Sequence, residues 1–281
     1  MKAFFKKLKY TPHEIGDAIV IDLINLYEQI AFLYQKFKGK YFFLKKNAFL
    51  KNIHKEERIF IIGNAPSIND FDLKKLKNEI VIMVNRSFIH PDYEIIKPKY
   101  HIFVDSKLAT GVWPLTYLDE IYKKNPHVRI ILNSNWYYLE KFKKYRNNEN
   151  IFWVKNKQVS LLFNNFNNDL TDNFSAMGVA GTGLSTAIYT GSKKIYILGI
   201  ELNGVIKLLA DKDSHFSGKD PDYQNYTSWE WARDLNSNSR GLRIWHRFND
   251  HCKRNKIELI NLSNRGLFNF VPKENFDDLF K

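Results

Sequence analysis

The chain has 281 residues, of which 44% are hydrophobic and 26% are charged. This composition excludes a disordered chain, and the length suffices for one large α/β domain with a full core and a small appendage. The single cysteine excludes a disulfide framework and a cysteine-based zinc site, and it fits a reducing cytoplasm.

The formal net charge of +13 is distributed unevenly along the chain. Residues 1–55 contain eleven lysines and four acidic residues, a net charge of +7. Such a basic segment indicates an anionic surface as partner, either a membrane or a nucleic acid. Because no RNA-binding or helix-turn-helix signature is present, we expect no nucleic-acid partner. No signal peptide is recognisable, so the sequence predicts a cytoplasmic protein.

The first predicted element is a helix over residues 12–38. Thr11 can cap it, Pro12 suits its first position, and Glu14 completes a capping box. Apolar residues then recur at spacings of three and four, and Gly39 ends the run. Two acidic residues interrupt the apolar stretch, which excludes a transmembrane span.

An aromatic and basic stretch over residues 41–51 follows this helix. One interpretation is an anchor that lies peripherally on the inner membrane, with lysines at the lipid headgroups. The other is a helix packed on the main domain or on a second subunit, which leaves a homo-oligomer open. We therefore predict two units: a basic amphipathic helical segment over 1–55 and a catalytic domain over 56–281.

From residue 58 onwards, apolar strand-like runs alternate with helical segments. This alternation predicts an α/β fold with a Rossmann-like, mostly parallel sheet flanked by helices. Helices are predicted near 70–77, 115–124, 136–145, 182–190 and 241–255. The predicted strands are 58–63, 79–84, 100–104, 128–132, 151–154, 194–200 and 256–260. A long polar connection over 201–228 is a candidate lid-like loop.

The loop after the first predicted strand is the first candidate binding site. It reads Gly63, Asn64, Ala65, Pro66 and Ser67. It lacks the three glycines of a dinucleotide fingerprint and the Gly-Lys-Ser/Thr of a P-loop. This favours a nucleotide or nucleotide-sugar site of another type, although a plain tight turn explains the loop equally well.

Polar residues also follow the next two predicted strands. Asn85 and Arg86 come after the second, and Asp105 and Ser106 come after the third. In an open α/β sheet, the ligand crevice lies at the carboxyl ends of the strands. Since polar residues commonly end strands, it is their repetition that favours a site.

A run of small residues opens the helix that precedes the strand 194–200. It contains Gly181, Thr182, Gly183 and Ser185. The free N–H groups at a helix N-terminus suit a phosphate, and the hydroxyls would add donors. Close packing of the helix on the sheet is the alternative explanation of the same residues.

His215 lies in the long connection, two residues after Asp213. Histidine changes its charge near neutral pH and can accept a proton from a hydroxyl, and Asp213 would orient its ring. Asp211 and Asp213 together have the Asp-X-Asp spacing that holds a divalent cation in many glycosyltransferases. That motif normally ends a strand directly, whereas here it comes about ten residues later, which disfavours a metal site.

The order of these motifs resembles that of the bacterial sialyltransferases of glycosyltransferase family 42. Residues 63–67 resemble their Gly-Asn-Gly-Pro-Ser loop, and residues 84–88 resemble the end of their second strand. Residues 193–201 are similar to their Lys-Glu-Ile-Tyr-Leu-X-Gly-Ile-Asp strand, and residues 213–216 to their Asn-Ser-His-Tyr. A related group also fits: the motility-associated glycosyltransferases and the proteins called 6-hydroxymethylpterin diphosphokinase-like.

This resemblance implies a GT-A-like fold and a metal-independent, inverting transfer of an acidic sugar from a CMP-activated donor, with no cofactor. Asn64 and Asn85 would hold the CMP, and His215 would deprotonate the acceptor. Asp105 stands where the family has an asparagine, and its carboxylate would bind ribose hydroxyls. The family's two phosphate-binding tyrosines are absent from the stretch after the strand, which leaves Tyr223 or Tyr226 to replace them.

The expected function is therefore transfer of a sialic acid, another nonulosonate or a Kdo-like sugar to a bacterial surface glycan or glycolipid, as in lipopolysaccharide or capsule synthesis. Two alternatives stay open. One is a Mg-dependent pterin-type diphosphokinase, and the other is a non-catalytic, nucleotide-binding scaffold at the membrane.

Overall fold

Eight parallel strands form one sheet in the computed structural model, which describes residues 11–163, 165–219 and 226–281. The strands are β1 (Arg58–Ile62), β2 (Ile80–Val84), β3 (Tyr100–Phe103), β4 (Arg129–Asn133), β5 (Ile151–Lys157), β6 (Asn173–Ser175), β7 (Lys194–Leu198) and β8 (Glu258–Asn261). Their order across the sheet is β6-β5-β4-β3-β2-β1-β7-β8, and every neighbouring pair is parallel.

The chain changes direction at β1. It adds β2 to β6 on one side of β1 and then crosses to the other side, where β7 and β8 pair. In the register, Ile62 of β1 faces both Met83 of β2 and Leu198 of β7. Open α/β sheets bind ligands at such a switch point, outside the carboxyl ends of the strands.

Helices cover both faces of the sheet, as apolar side chains on both faces of the strands require. The α-helices are α1 (Pro12–Phe37), α2 (Tyr93–Ile96), α3 (Ser106–Thr110), α4 (Thr116–Lys124), α5 (Gly178–Tyr189), α6 (Gly204–Leu209) and α7 (Ser228–Arg254). Short 3₁₀ helices lie at Phe42–Leu50, Pro66–Asp70, Leu73–Asn78, Asn85–Ile89, Ser134–Trp136, Glu140–Tyr145 and Asp277–Phe280. Ile59 and Ile61 of β1 pack with α5 and α7, whereas Phe60 and Ile62 pack with α2, α3 and α4.

Helix α1 begins as the sequence predicts. The Thr11 hydroxyl accepts from the Glu14 N–H, and the Glu14 carboxylate accepts from the Thr11 N–H, which completes the capping box. One side of the helix packs on the domain through Ala18, Ile21 and Phe32. None of the described helices combines the length and the apolarity that a membrane span requires.

The segment after α1 is part of the main fold. Asn47 is buried, and its amide donates to the carbonyls of Trp153, at 2.8 Å, and Leu170, at 2.6 Å. Leu44 and Leu50 are buried beside it. For this segment the structure shows the packed arrangement, whereas the domain boundary near residue 55 stays a prediction.

All seven predicted strands are present, and the differences lie in short or irregular elements. Strand β6 is absent from the prediction because its three residues are too few for a recognisable pattern. The helices predicted near 70–77 and 136–145 are wrong, since the structure forms short 3₁₀ helices in both places. Helix α7 begins at Ser228, well before the predicted start at 241, because Thr227 and Glu230 form a second capping box.

The loops after β1 and β7 touch through their backbones. The Gly63 N–H donates to the Leu198 carbonyl at 2.8 Å, and the Ala65 N–H donates to the Gly199 carbonyl at 3.0 Å. A Cβ on Gly63 would lie 2.2 Å from the Gly199 oxygen, which no side chain tolerates. Gly199 itself has φ +67°, a conformation that favours glycine.

We predict that Gly63→Ala lowers the free energy of unfolding by about 3 kcal/mol, because the added methyl meets backbone rather than a movable side chain. Urea unfolding followed by circular dichroism measures this loss. Gly16→Ala is the matched control: nothing lies within 4 Å of its added Cβ, so alanine should raise the stability of α1 by up to about 1 kcal/mol. Equal effects of the two substitutions would contradict the close contact.

Candidate functional site

A cavity of about 110 Å³ lies at the carboxyl edge of the sheet, beside the switch point. Residues that follow β1, β2, β3 and β7 line it. They are Asn64, Asn85, Arg86, Asp105, Lys107, Trp113, His215, Phe216 and Ser217. Five predicted site residues, Asn64, Asn85, Arg86, Asp105 and His215, therefore meet in one place.

The remaining residues of the first predicted loop support Asn64 rather than line the cavity. Pro66 begins a 3₁₀ turn, and the Ser67 N–H donates to the Glu201 carboxylate at 3.1 Å. Glu201 is buried, and burial raises its pKa. The hydrogen bonds from Lys207 and Ser67 outweigh burial and leave that pKa below its usual value. Glu201 is thus an ionised carboxylate that joins the loop after β1 to α6.

The segment that carries His215 is attached to the loop after β1. The Phe216 N–H donates to the Asn64 carbonyl at 2.8 Å, and the Asn69 amide donates to the Phe216 carbonyl at 3.0 Å. His215 and Gly218 exchange two backbone hydrogen bonds of 3.1 Å in a tight turn. These contacts place the half-buried His215 imidazole at the cavity wall, directly beside the loop of Asn64.

Two amide oxygens in the cavity are buried without a hydrogen-bond partner among the described residues. They belong to Asn64 and Asn85. An unsatisfied buried oxygen costs about 1–3 kcal/mol, so native structures rarely keep one unless water, an ion or a ligand supplies the donor. Each asparagine also carries an NH₂ group, so the pair offers both donors and acceptors to a bound molecule.

Asn85 has a left-handed backbone conformation, with φ +48°. Its carbonyl accepts a hydrogen bond from Nε2 of His101 at 2.7 Å, and Nδ1 of His101 lies 3.1 Å from the Tyr93 hydroxyl. His101 is fully buried, and burial lowers its pKa to about 4. Burial also raises the pKa of Tyr93, so both partners are neutral at pH 7.

Two cations and one carboxylate line the cavity. Arg86 has no ion-pair partner within the described ranges, which leaves its guanidinium available to an anion. The Lys107 ammonium lies over the Trp113 ring, 5.4 Å from its centroid. The Asp105 side chain caps α3 by accepting from the Lys107 N–H at 3.0 Å. The cavity is therefore suited to an anionic ligand with hydroxyl groups.

The small residues of α5 lie inside the helix. The Thr182 hydroxyl donates to the Gly178 carbonyl, and the Ser185 hydroxyl donates to the Ser175 carbonyl. A Cβ on Gly183 would lie 3.2 Å from the Ile61 side chain, and a Cβ on Gly181 would lie 3.3 Å from the Phe248 ring. The structure thus shows close packing for these four residues, because the helix begins at Gly178, earlier than predicted.

The acidic residues near His215 do not form the predicted arrangement. Asp213 is exposed, and the described residues contain no ion pair between the Asp213 carboxylate and the His215 ring. Asp211 pairs instead with Lys219, 2.6 Å away. Among the residues that the structure describes, no group of three histidine, cysteine or acidic side chains is placed to hold a metal ion.

The two tyrosines and Ser106 have different outcomes. Tyr223 lies outside the described residues. Burial and the Asp234 carboxylate raise the pKa of the Tyr226 hydroxyl, and the Lys107 ammonium opposes them. Tyr226 is therefore near Lys107, one of the two cations of the cavity. Ser106 is exposed as the first residue of α3 and does not line the cavity.

Trp113 was not predicted as a site residue. It lies three residues after the end of α3. Its backbone N–H donates to the Lys107 carbonyl at 3.0 Å, and this turn brings the Trp113 side chain to the cavity. Tryptophan in a short loop carries no distinct signal in the sequence. The three glycines of 178–183 and Gly199, by contrast, are ambiguous signals, because small residues serve both packing and ligand contact.

A family model described as "6-hydroxymethylpterin diphosphokinase MptE-like" matches residues 29–204. This match spans well over half of the chain. The chain belongs to the MptE-like family. The matched region of this MptE-like protein includes the loops after β1, β2 and β3, and it ends before His215. A comparison with curated proteins finds no match.

Two solved structures similar to this MptE-like chain are both of the sialyltransferase CstII from Campylobacter jejuni. One is in complex with the substrate analogue CMP-3FNeuAc; it is 16% identical, has a TM-score of 0.43, and the alignment covers 77% of this chain and 86% of that one. The other is in complex with cytidine-5'-monophosphate; it is also 16% identical, has a TM-score of 0.43, and the alignment covers 78% of this chain and 85% of that one.

We predict that His101 makes the stability of the protein depend on pH. Its pKa is about 4 when folded and about 6.5 when unfolded, so the unfolded chain binds the additional proton between these values. Stability from the neutral ring is complete above about pH 6.5 and is lost as the pH falls towards 4, by up to about 3 kcal/mol.

The measurement is the free energy of unfolding at pH 7 and at pH 4.5. His101→Gln should lose much less stability than the wild type over this interval, whereas the exposed control His127→Gln should behave like the wild type. An unchanged pH dependence in His101→Gln would show that other groups cause it.

Proposed function

We propose that this MptE-like protein is an inverting glycosyltransferase with a GT-A-like, metal-independent site. It would move an acidic sugar, such as a sialic acid, another nonulosonate or a Kdo-like sugar, from a CMP-activated donor to a surface glycan or glycolipid. The observation that carries the proposal is the meeting of Asn64, Asn85, Arg86 and His215 in one cavity at the switch point.

The chemistry of the cavity supports a nucleotide with a second anionic group. The unpartnered amide oxygens of Asn64 and Asn85 would accept from the nucleotide, and Asp105 would accept from ribose hydroxyls. Arg86 and Lys107 supply two positive charges for the phosphate and the sugar carboxylate. The resemblance of the loop at 63–67 to that of the sialyltransferases supports cytosine as the base.

His215 is the proposed general base. It would take the proton of the acceptor hydroxyl while the acceptor oxygen forms a bond to the anomeric carbon. On the opposite side, the bond between that carbon and the phosphate oxygen breaks, and CMP leaves with the electron pair. Arg86 and Lys107 would stabilise the negative charge that develops on the departing phosphate.

The family description supports a second candidate, transfer of diphosphate from ATP to a pterin-like alcohol. The same two cations would contact the phosphates. Mg²⁺ in such sites is held by one or two carboxylates together with the phosphates, and Asp105 is the carboxylate that the described cavity offers. A nucleotide-binding scaffold without activity is the third possibility, and binding without turnover would indicate it.

We predict that CMP or CDP gives the largest thermal shift in a panel with UDP, GDP and ATP. A ligand at a hundredfold excess over its dissociation constant stabilises a protein by about 2.7 kcal/mol. Asn64→Ala should reduce this shift, because it removes an amide that faces the cavity, whereas Asn135→Ala, after β4, should not. A dominant response to ATP that requires Mg²⁺ would favour the diphosphokinase, and one to UDP or GDP would exclude the CMP assignment.

We predict that His215→Ala lowers the transfer rate by about 10²–10⁴ and leaves the CMP affinity nearly unchanged, because the base contacts the acceptor rather than the nucleotide. The assay uses CMP-sialic acid and a panel of glycan and glycolipid acceptors, with EDTA present. His127→Ala is the exposed control and should retain full activity. Wild-type turnover in His215→Ala would remove this residue from the mechanism.

The surface of α1 supports action at a membrane. Its outer face is apolar and exposed, and Phe37 at its end is 91% exposed. Exposed lysines follow directly, and Lys38 lies over the Tyr34 ring. The exposed side chains of this face are Ile19, Val20, Leu23, Ile24, Leu26, Tyr27, Ile30, Leu33, Tyr34 and Phe37. Apolar side chains beside cations match the interface of an anionic membrane, so we place the enzyme peripherally on the inner membrane.

We predict that replacing Leu26, Tyr27 and Ile30 together by glutamine weakens binding to phosphatidylglycerol vesicles at least tenfold, which corresponds to about 1.4 kcal/mol. Glutamine keeps the helix intact. Vesicle flotation measures the change, and the control replaces the exposed Ile206 and Leu209 of α6. If the triple variant floats like the wild type but has a lower molecular mass in solution, a second copy of the chain covers this face instead.

A further inference from the structure

The loop after β2 begins with a left-handed backbone conformation. Asn85 has φ +48°, which is uncommon for residues other than glycine, although asparagine adopts it more readily than most. Its side chain is nonetheless almost fully buried and lines the cavity, and its amide oxygen is unpaired within the described residues. A contact that fixes the Asn85 backbone would therefore also fix its side chain at the cavity.

His101 makes the contact that holds it. His101 lies on β3, and its partner in the register is Met83 of β2, which comes two residues before Asn85. The His101 side chain is fully buried. Its ring stacks on Phe103, with the centroids 5.1 Å apart, and meets the edge of Phe88 at 6.2 Å. From this fixed position, Nε2 reaches the Asn85 carbonyl at 2.7 Å.

The partners of His101 determine where its proton lies. A carbonyl oxygen can only accept, so Nε2 carries the proton and donates to Asn85. Nδ1 is then unprotonated and accepts from the Tyr93 hydroxyl. Tyr93 and His101 form a buried chain of two hydrogen bonds that ends on one backbone carbonyl at the cavity.

We propose that His101 is a positioning residue for the ligand site: it holds the Asn85 peptide in its left-handed conformation, so that the Asn85 amide faces the cavity. The inference rests on the proposed function in taking the ligand to be a nucleotide. It assigns a role in binding to a side chain that itself lies behind the cavity wall and does not line it.

A purely structural role would not require this chemistry. A phenylalanine or leucine would fill the space between Phe88 and Phe103 without a buried polar group, which is costly unless it is fully hydrogen-bonded. Here both ring nitrogens have partners, and one partner is the peptide of a cavity residue. Loss of the Nε2 donor should therefore affect the ligand site more than it affects the core.

The test compares His101→Leu with His101→Gln, whose amide nitrogen lies near the position of Nε2. Both variants deprive the Tyr93 hydroxyl of Nδ1, so their difference isolates the donor to Asn85. We expect His101→Leu to weaken CMP binding, measured by calorimetry, about three- to tenfold, the effect of one lost hydrogen bond. His101→Gln should restore most of the affinity. The core control Phe60→Leu should lower the melting temperature without changing the affinity.

A double variant shows whether His101 acts through Asn85. Asn85→Gly permits the left-handed conformation and removes the amide, so adding His101→Leu to it should weaken binding no further. A further loss of the same size, or an equal loss in Phe60→Leu, would overturn the inference.

A readout without ligand separates this inference from the proposed function. Should the wild type bind no CMP, the proposed function fails, and the ¹⁵N–¹H resonances of the Asn85 side-chain amide then report its position. They should shift in His101→Leu and return in His101→Gln. Resonances that stay unchanged in His101→Leu would overturn the positioning role.

Discussion

The backbone contact between the loops after β1 and β7 is the constraint on which the site depends. Because Gly63 and Gly199 have no side chains, the two loops approach closely enough for a backbone N–H of one to donate to a carbonyl of the other. This contact lies at the switch point of the sheet. Asn64 directly follows Gly63, and its carbonyl accepts from the Phe216 N–H and so holds the segment of His215. The relative position of a binding residue and the proposed base is thus set by hydrogen bonds between backbones, which do not depend on rotamers.

Some polar groups of the cavity have no hydrogen-bond or ion-pair partner among the described residues. Two amide oxygens are buried and unsatisfied there, and the Arg86 guanidinium forms no ion pair with another described residue. At the same edge, the Glu201 carboxylate accepts from Lys207 and Ser67, and one oxygen of the cavity residue Asp105 accepts from the N-terminus of α3.

The sequence predicts the parts of the site that follow from strand order. Asn64, Asn85 and His215 come after buried strands, and parallel strands bring their carboxyl ends together, so these residues could be recognised. The orientation of Asn85 depends on His101, a residue inside a strand with no local signal of its role. Thr182 and Ser185 illustrate the opposite failure, since small and hydroxylated residues at a helix start suit both an anion and a close helix–sheet contact. Sequence patterns locate chain segments, whereas the pairing of side chains across segments decides between such alternatives.

The order of the strands also has a consequence for biosynthesis. Central strand β1 pairs with β2 soon after both are made, but its other neighbour, β7, begins 136 residues later at Lys194. Until that segment leaves the ribosome, the far edge of β1 has unpaired N–H and C=O groups and apolar side chains on both faces. Such an edge is a template for pairing with other chains, and a sheet rich in distant contacts folds slowly. The arrangement that creates the ligand crevice therefore exposes the nascent chain to aggregation while nearly half of its residues are added.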